Sequence, residues 1–218
     1  IEIIGGHTEI TKAVNRPVVV STAVGRGFKG QSASASEIKP GDAILMTKTA
    51  GIEGTGIIAC DYEEELREVL SGEELEHAKS LLSKVSVVKD GIIAGRIGTH
   101  GMHDVTEGGI LGAVWEMCSI AGTGARLDAE AIPADDVTRR ICEHYDINML
   151  RLISSGSMLI MTEEDKKEEI IRELAAQGIP AAQIGKIVPK EEGLSICEGG
   201  KQTQIDPPGP DELYKIVK

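Results

Sequence analysis

The segment HDVTEGG, residues 103–109, combines the side chains and glycines that could hold a phosphate group. A helix N-terminus offers unpaired backbone N–H groups and a partial positive charge, and glycines in its first turn let an anion approach the backbone. Thr106 is the predicted N-cap, and Gly108 and Gly109 lie in the first turn. Asp104 precedes that turn, where its carboxylate could bind the Mg²⁺ that accompanies nucleotide phosphates. Close packing of a helix on a sheet would also explain the two glycines.

Three further junctions of small residues have a related composition. The segment GGHTE, residues 5–9, follows a strand-like run, residues 47–56 lead from a predicted strand into a helix, and SSGS, residues 154–157, precedes a strand. Four such junctions in one chain are better explained by loops that converge on a polyanion than by four unrelated turns. The sequence does not show that they meet.

His100 and His103, next to Asp104, support an alternative interpretation as transition-metal ligands. No third His or Cys lies nearby at suitable spacing, and the neighbouring glycines favour contact with an anion. His77 and His144 lie on the polar faces of predicted helices and are interpreted as surface residues.

Other common catalytic motifs are missing from the sequence. It has no Gly-x-Ser-x-Gly elbow, no Gly-Lys-Thr phosphate loop and no G-x-G-x-x-G that opens a helix after a strand. Hydrolase, P-loop and dinucleotide-binding interpretations therefore lack the residues that would support them.

The elements that must position these residues follow from apolar periodicity, which predicts an α/β fold with a mixed sheet. In the helix over 107–121, Ile110, Val114, Met117 and Ala121 form one apolar stripe. Thr162 and Asp165 predict a capping box for the helix that Gly178 ends. Predicted strands cover residues 1–4, 17–25, 43–51, 124–128, 157–162, 182–188 and 194–197; predicted helices cover 55–69, 73–83, 88–97, 107–121, 134–146 and 163–177, with a turn or helix at 210–217. Residues 25–42 read as a linker that contains a domain boundary.

Composition limits the classes of protein and partner. The chain has 218 residues and a net charge of −12, which disfavours nucleic acid and anionic membranes as partners. No apolar run approaches the roughly 20 residues that span a bilayer. The four cysteines lack Cys-x-x-Cys spacing, so we expect reduced thiols and a cytoplasmic location. The opening IEIIGG indicates an internal start, and we expect a fragment.

Four segments together resemble the aminoimidazole ribonucleotide (AIR) synthetase-like superfamily: HDVTEGG, GGHTEI, KPGDAILMTKTAGIEGTGIIA and LISSGSMLI. That superfamily also contains selenophosphate synthetase, thiamine monophosphate kinase, formylglycinamidine ribonucleotide synthetase and the hydrogenase expression/formation protein E. The order and spacing match across nearly the whole chain, which looks most similar to the hydrogenase maturation-type branch.

The resemblance implies two α/β domains and the cofactors ATP and Mg²⁺. Residues 1–32 would be the remnant of an N-terminal domain for ATP binding and dimerisation, and residues 33–218 an AIR synthase-like C-terminal domain. The Asp-rich Mg²⁺ loop of the family would lie upstream. We therefore expect this chain alone to bind ATP poorly and to be inactive, and the full-length parent to be a homodimer.

The resemblance also assigns roles to residues. Asp104 would be the metal ligand, Gly108 and Gly109 the phosphate cradle, and Glu107 or His103 the group that handles a proton or orients the substrate. Residues implied to face the phosphates or lie near the substrate cleft are Gly5, Gly6, His7, Thr8, Gly51, Gly54, Thr55, Thr106, Ser155, Gly156 and Ser157.

The implied activity is ATP-dependent activation of an amide or carbamoyl oxygen on a small-molecule or protein-bound substrate, with a hydrogenase maturation protein as partner. The hydrogenase maturation enzyme ends in a Cys that receives the carbamoyl group, whereas this chain ends in DELYKIVK and its last cysteine is Cys197. The HDVTEGG junction is closer to the glycinamidine synthetase pattern. Two alternatives stay open: a non-catalytic docking or dimerisation protein in metal-cofactor maturation, and an AIR synthetase of the purine pathway.

Overall fold

The computed structural model describes residues 2–26 and 34–217. The chain divides into two compact units, residues 1–31 and residues 32–218. The assignment of residues 1–32 to an N-terminal ATP-binding domain stays a prediction. Part of the predicted linker, residues 27–33, lies outside the described residues.

The first unit has no regular secondary structure over residues 2–26. Its β-branched side chains are exposed, with Ile4 at 89% and Val20 at 87%. The strands predicted at 1–4 and 17–25 are therefore wrong where the structure describes them; residue 1 lies outside that part. A β-strand needs a hydrogen-bonded neighbour, and within the described ranges no strand pairs with these residues.

The second unit is built on a seven-stranded mixed sheet, in the order β2-β4-β1-β5-β3-β6-β7. The strands are β1 (Ala43–Thr47), β2 (Gly101–Asp104), β3 (Gly124–Asp128), β4 (Met158–Thr162), β5 (Ala181–Val188), β6 (Leu194–Glu198) and β7 (Lys201–Gln204). Neighbouring strands are antiparallel except β3 and β6, which are parallel. The predicted α/β class with a mixed sheet is confirmed.

Seven α-helices accompany the sheet in the described part of the chain. They are α1 (Ile52–Asp61), α2 (Glu63–Leu66), α3 (Gly72–Ser80), α4 (Val88–Ile97), α5 (Gly109–Ala121), α6 (Asp136–His144) and α7 (Lys167–Ala175). Short 3-10 turns lie at Ala35–Glu37, Leu81–Lys84, Ala129–Ala131, Met149–Arg151, Lys190–Glu192 and Glu212–Lys215. Among the described residues, no helix is both long and apolar enough to cross a bilayer.

Alternating residues of β1 pack on opposite faces of the sheet, as strand geometry requires. Ile44 and Met46 belong to a core cluster with α5, whose Ile110, Val114 and Met117 are buried as predicted. On the other face Ala43 and Leu45 join α4 and α7. A third cluster packs α1, α3 and α6 together with Ile216 near the C-terminal end.

Two helix starts differ from the predictions. Thr162 does not cap a helix, because it is fully buried in β4 and its hydroxyl donates to the carbonyl oxygen of Gly98 at 3.3 Å. The capping box with Asp165 is therefore wrong, and α7 begins at Lys167. The helix ends at Ala175, and the predicted stop residue Gly178 adopts φ +72° in the turn three residues later.

One edge of the sheet collects the ends of three strands. Strand β4 lies between β1 and β2 and is antiparallel to both. The chain therefore leaves β1 after Thr47 and leaves β2 after Asp104 at the same edge where it enters β4 at Met158. This edge carries the candidate site.

Candidate functional site

Three of the four predicted junctions meet at this edge and hydrogen-bond to each other. The backbone N–H of Val105 donates to the carbonyl oxygen of Ser157 at 3.0 Å, and that of Ser154 donates to Val105 at 3.2 Å. The N–H of Ile52 donates to Ser154 Oγ at 3.3 Å. The loops after β1, after β2 and before β4 therefore form one connected structure.

The hydroxyl groups in these loops are used inside the protein. Ser157 Oγ donates to the carbonyl oxygen of Thr49 at 2.6 Å and lies 2.9 Å from Ser154 Oγ. Thr55 Oγ1 donates to Thr138 Oγ1 at 2.9 Å, and both threonines are fully buried. A ligand could contact Thr55 or Ser157 only if these hydrogen bonds broke. Their cofactor-binding role, like that of half-buried Ser155, stays a prediction.

The glycines of the same loops have a packing explanation. A Cβ on Gly54 would lie 2.5 Å from the side chain of Leu152, and one on Gly156 would lie 2.6 Å from the carbonyl oxygen of Lys84. Gly51, the N-cap of α1, has φ +69°, a backbone region that glycine adopts without strain. Close contact accounts for Gly54 and Gly156, and backbone conformation accounts for Gly51. A phosphate role for these three glycines stays a prediction.

A lysine that the sequence analysis missed ties the loops to α4. Lys48 Nζ donates to Asp90 Oδ1 at 2.7 Å, to the Gly156 carbonyl at 2.6 Å and to the Ser86 carbonyl at 3.2 Å. The Lys48 side chain is 16% exposed and that of Asp90 1%. Lys48 has φ +57°, which is uncommon outside glycine. We call Lys48, Asp90, Ser154 and Ser157 the inner network.

The start of α5 differs from the prediction. The helix begins at Gly109, and its N-cap is Gly108, with φ +80°, not Thr106. The carbonyl oxygen of Thr106 accepts the Gly109 N–H at 3.1 Å in a turn that precedes the helix. A Cβ on Gly109 would lie 2.6 Å from the carbonyl oxygen of Leu150. The predicted cap is wrong, because the N-cap position belongs to Gly108 and Thr106 lies two residues before it, in the preceding turn.

A carboxylate of the chain itself lies at the N-terminus of α5. Asp211 Oδ2 accepts the Gly108 N–H at 2.7 Å, and Asp211 is 4% exposed. The neighbouring Pro208 lies 3.5 Å from the position that a Cβ of Gly108 would take. A negative charge at a helix N-terminus is stabilising. An anion was predicted at this position, and Asp211 supplies one; nothing in its local sequence pointed to that contact.

Polar side chains at the outer surface of the edge remain accessible. His103 Nε2 lies 3.1 Å from Glu116 Oε2, and its Nδ1 hydrogen-bonds to the Asp104 carbonyl oxygen. The side chain of Asp104 is 55% exposed, and Glu107 is exposed in the turn before α5. We call His103, Asp104, Glu107 and Glu116 the outer cluster. An imidazole held between oxygen atoms can orient a substrate group or transfer a proton.

The alternative of a transition-metal site finds no support. His100 Nδ1 contacts Asp42 Oδ2 at 2.7 Å, where β1 and β2 begin, whereas His103 lies toward the end of β2. Within residues 2–26 and 34–217, no three His, Cys, Asp or Glu side chains are grouped to hold a metal ion. Mg²⁺ often takes only one or two carboxylates together with substrate phosphates. Exposed Asp104 therefore fits as one ligand of a shared Mg²⁺ site but does not form a site alone.

The fourth junction belongs to the first unit. Gly5, Gly6, His7 and Thr8 are exposed and lie outside regular structure. His7 Nε2 lies 3.8 Å from Glu9 Oε2, with both side chains open to solvent. The predicted phosphate contacts of these four residues stay predictions.

The cysteines take no part in the site. All four are free thiols, with Cys60 exposed and Cys118 and Cys142 buried. Burial raises the pKa of Cys118 to about 11 and that of Cys142 to about 12. Their reactive thiolate forms are therefore suppressed at neutral pH.

Comparison with known proteins agrees with this fold. The family model described as "AIR synthase related protein, C-terminal domain" matches residues 39–197. A carbamoyl dehydratase HypE from Rhizobium leguminosarum bv. viciae is 25% identical over 197 residues, which cover 86% of this chain and 53% of the relative. The chain thus spans about half the length of that relative.

Solved structures of HypE share the fold. E. coli HypE superposes with a TM-score of 0.70 at 25% identity, covering 84% of this chain and 55% of that one. A HypE solved in complex with ATP gives a TM-score of 0.60 at 20% identity, covering 84% of this chain and 55% of that chain. The predicted resemblance, including the hydrogenase expression/formation branch, is confirmed. The chain belongs to the AIR synthase related family, and its residues 39–197 are the C-terminal domain of that family.

Proposed function

We propose that this chain is the C-terminal part of an ATP-dependent enzyme that activates an amide or carbamoyl oxygen, as in hydrogenase maturation. The observation that carries the proposal is the convergence of three junctions at one sheet edge, with Asp104 and Glu107 exposed there. The chain is 25% identical to a carbamoyl dehydratase, which supports activation of a carbamoyl oxygen as the reaction class. Phosphoryl transfer of this kind depends on positioning and charge neutralisation, which a fixed loop assembly supplies.

Each part of the edge has a role in this proposal. Bound ATP with Mg²⁺ supplies the phosphoryl group, and Asp104 is the carboxylate of this chain that would bind the metal. His103, placed between Glu116 and the Asp104 backbone, orients the substrate oxygen or holds a proton near it. Glu107 lies on the same surface as a second proton-handling group. The inner network keeps the loops in place beneath them.

The proposal extends to the protein as a whole. It takes the parent to be a cytoplasmic homodimer whose upstream domain adds an Asp-rich Mg²⁺ loop, and this chain alone to be inactive. The substrate carries a carbamoyl or amide group, either as a small molecule or on a hydrogenase maturation protein. An AIR synthetase activity would be revealed by a product assay on the parent.

One observation favours a second candidate, a non-catalytic docking or dimerisation protein. The Gly108 N–H is already held by Asp211, and Gly109 packs against the Leu150 carbonyl. A phosphate could use the Gly108 N–H only if Asp211 moved away. A protein that keeps this contact permanently would retain the fold and lack the phosphate cradle.

Thermal unfolding of the parent distinguishes the two candidates. Mg-ATP that binds only the folded state stabilises it by about 2.7 kcal/mol at 100 times its dissociation constant. We expect a rise in Tm with millimolar Mg-ATP and loss of that rise in Asp104→Ala. Glu168→Ala, which removes an exposed carboxylate on α7, is the control and should keep the rise. A parent with no shift would support the docking candidate.

A further inference from the structure

A second concave surface lies beside the turn Met149–Arg151 and the first turn of α5. The cavity has a volume of about 440 Å³ and is bordered by α6, the turn and strands β6 and β7. Leu111, Ile147, Ile196 and Ile205 line it with apolar atoms. Its polar lining comes from Arg139, Asn148, Arg151, Glu198, Thr203 and Gln204. We call this cavity the arginine pocket.

The two arginines of the pocket lack carboxylate partners. Elsewhere in the second unit Arg67, Arg126 and Arg140 each form an ion pair with a glutamate. Among the residues that the structure describes, no carboxylate oxygen lies within 4.0 Å of the guanidinium nitrogens of Arg139 or Arg151. Arg151 donates one N–H to the Asp206 carbonyl at 3.1 Å. In a chain with a net charge of −12, two arginines without a carboxylate partner thus line one cavity.

Neutral donors lie beside these charges. Asn148 Oδ1 accepts the N–H of Leu150 at 2.9 Å, so the amide NH₂ of Asn148 is directed away from that contact. Thr203 contributes a hydroxyl group. Guanidinium groups match the oxygen geometry of phosphates and carboxylates, and apolar lining accommodates the organic part of a ligand.

We infer that the arginine pocket binds a small organic phosphate monoester. Arg139 and Arg151 contact its phosphate oxygens, Asn148 donates a further hydrogen bond, and Leu111 and Ile147 contact its apolar part. Glu198 at the same cavity disfavours ligands with a second anionic group. The site is distinct from the outer cluster, and it does not depend on ATP binding by the parent. Both sites share the turn Met149–Arg151, whose Leu150 carbonyl packs against Gly109.

Calorimetric titration of this chain with phenyl phosphate, in low salt at neutral pH, tests the inference. We expect saturable binding to one site, weakened about tenfold by Arg139→Gln, because one charge-assisted hydrogen bond contributes about that factor. Arg172→Gln is the matched control: Arg172 lies on α7 next to Glu173, outside the pocket, and its loss should leave the affinity unchanged.

Further variants test each part of the pocket. Arg151→Gln should weaken binding similarly, with circular dichroism verifying the fold, since Arg151 also holds Asp206. Glu198→Gln should strengthen binding about threefold by removing a like charge. Phenyl phosphate should bind more tightly than inorganic phosphate because of the apolar lining.

Three results would overturn the inference. The first is the lack of any binding heat at millimolar phenyl phosphate. The second is equal affinity in the wild-type protein and the Arg139→Gln variant. Arg139 is exposed on α6, so this variant should fold normally. The third is equal affinity for inorganic phosphate, which would eliminate an organic ligand. None of these measurements involves Mg-ATP. A result that refutes phosphate binding in the arginine pocket therefore leaves the proposed enzyme function untouched.

Discussion

The inner network and the outer cluster occupy the same sheet edge and use their polar groups in opposite ways. In the inner network, Lys48 has three acceptors and the hydroxyls of Ser154 and Ser157 bind other loops. In the outer cluster, Asp104 and Glu107 remain open to solvent. Buried polar groups must be satisfied within the protein, whereas exposed ones are free to bind a ligand. The comparison separates residues that build the site from residues that can act in it.

The largest expected effect is in the inner network. Lys48→Met should lower the free energy of unfolding by about 3–5 kcal/mol, because it leaves the carboxylate of Asp90 buried without a partner. Methionine is also strained at this positive φ, so the loss reports the ammonium group of Lys48 and the three hydrogen bonds that it donates. Urea denaturation measures the loss. Arg67→Gln, which breaks an exposed pair with Glu63, is the control and should change stability far less. Equal losses would mean that the network is not buried as described.

The second effect tests how closely the loops approach α5. Gly109→Ala should cost about 3–4 kcal/mol, because alanine at φ +61° is strained and its Cβ meets the Leu150 carbonyl. Gly122→Ala has a similar φ of +69° with open space around the Cβ and should cost only about 1–2 kcal/mol. The difference, measured by denaturation, is the contribution of packing. No difference between the two variants would remove the packing explanation for Gly109.

A smaller effect is expected at the start of α5, where Asp211 accepts the Gly108 N–H. Asp211→Ala should cost about 2 kcal/mol, because it leaves the buried Gly108 N–H without an acceptor. Asp211→Asn keeps one oxygen acceptor but loses the charge and the second acceptor, which binds the Leu213 N–H at 2.9 Å, so it should cost about half as much. Thermal or urea unfolding measures both. If the asparagine variant were as unstable as the alanine variant, a single oxygen acceptor at this position would not stabilise the start of α5.

The smallest effect is expected in the outer cluster. Asp104→Asn should change the free energy of unfolding by no more than about 0.5 kcal/mol, because the side chain is largely exposed. The same urea denaturation used for Lys48→Met measures it. A loss as large as that of Lys48→Met would place Asp104 among the structural residues. A small loss, with the Mg-ATP response abolished in the parent, would sharpen the contrast between the two regions.

Periodicity and turn residues predicted much of the second unit. The strands predicted at 43–51, 124–128 and 157–162 and the apolar stripe of α5 were predicted from the spacing of apolar residues. The structure contains a strand within each of these ranges and buries most of those residues. Strands β2 and β7 were missed because GMHD and KQTQ are short and lack apolar alternation. Pairing with β4 and β6, far away in sequence, makes them strands.

The sequence predicted which segments form the candidate site better than it predicted the contacts of their residues. The glycines and hydroxyls of residues 47–56, 103–109 and 154–157 do converge, yet most of them contact other loops. The cap assigned to Thr106 was wrong because a local turn comes before α5 and Gly108 takes the N-cap position. The cap assigned to Thr162 was wrong because Thr162 is paired with Ala43 of β1 in the sheet. The partners Lys48–Asp90 and Gly108–Asp211 were not predictable from local patterns, since long stretches of chain separate their members.

The sequence alone determined which segments could become strands and helices, and which residue types could bind an anion, because these properties depend on neighbours within a few positions. Only the tertiary structure decided which of those groups are accessible. Hydrogen bonding and burial depend on segments that are distant along the chain and adjacent in space. Such contacts place Asp211 at the start of α5, enclose the serines and leave Asp104 at the surface.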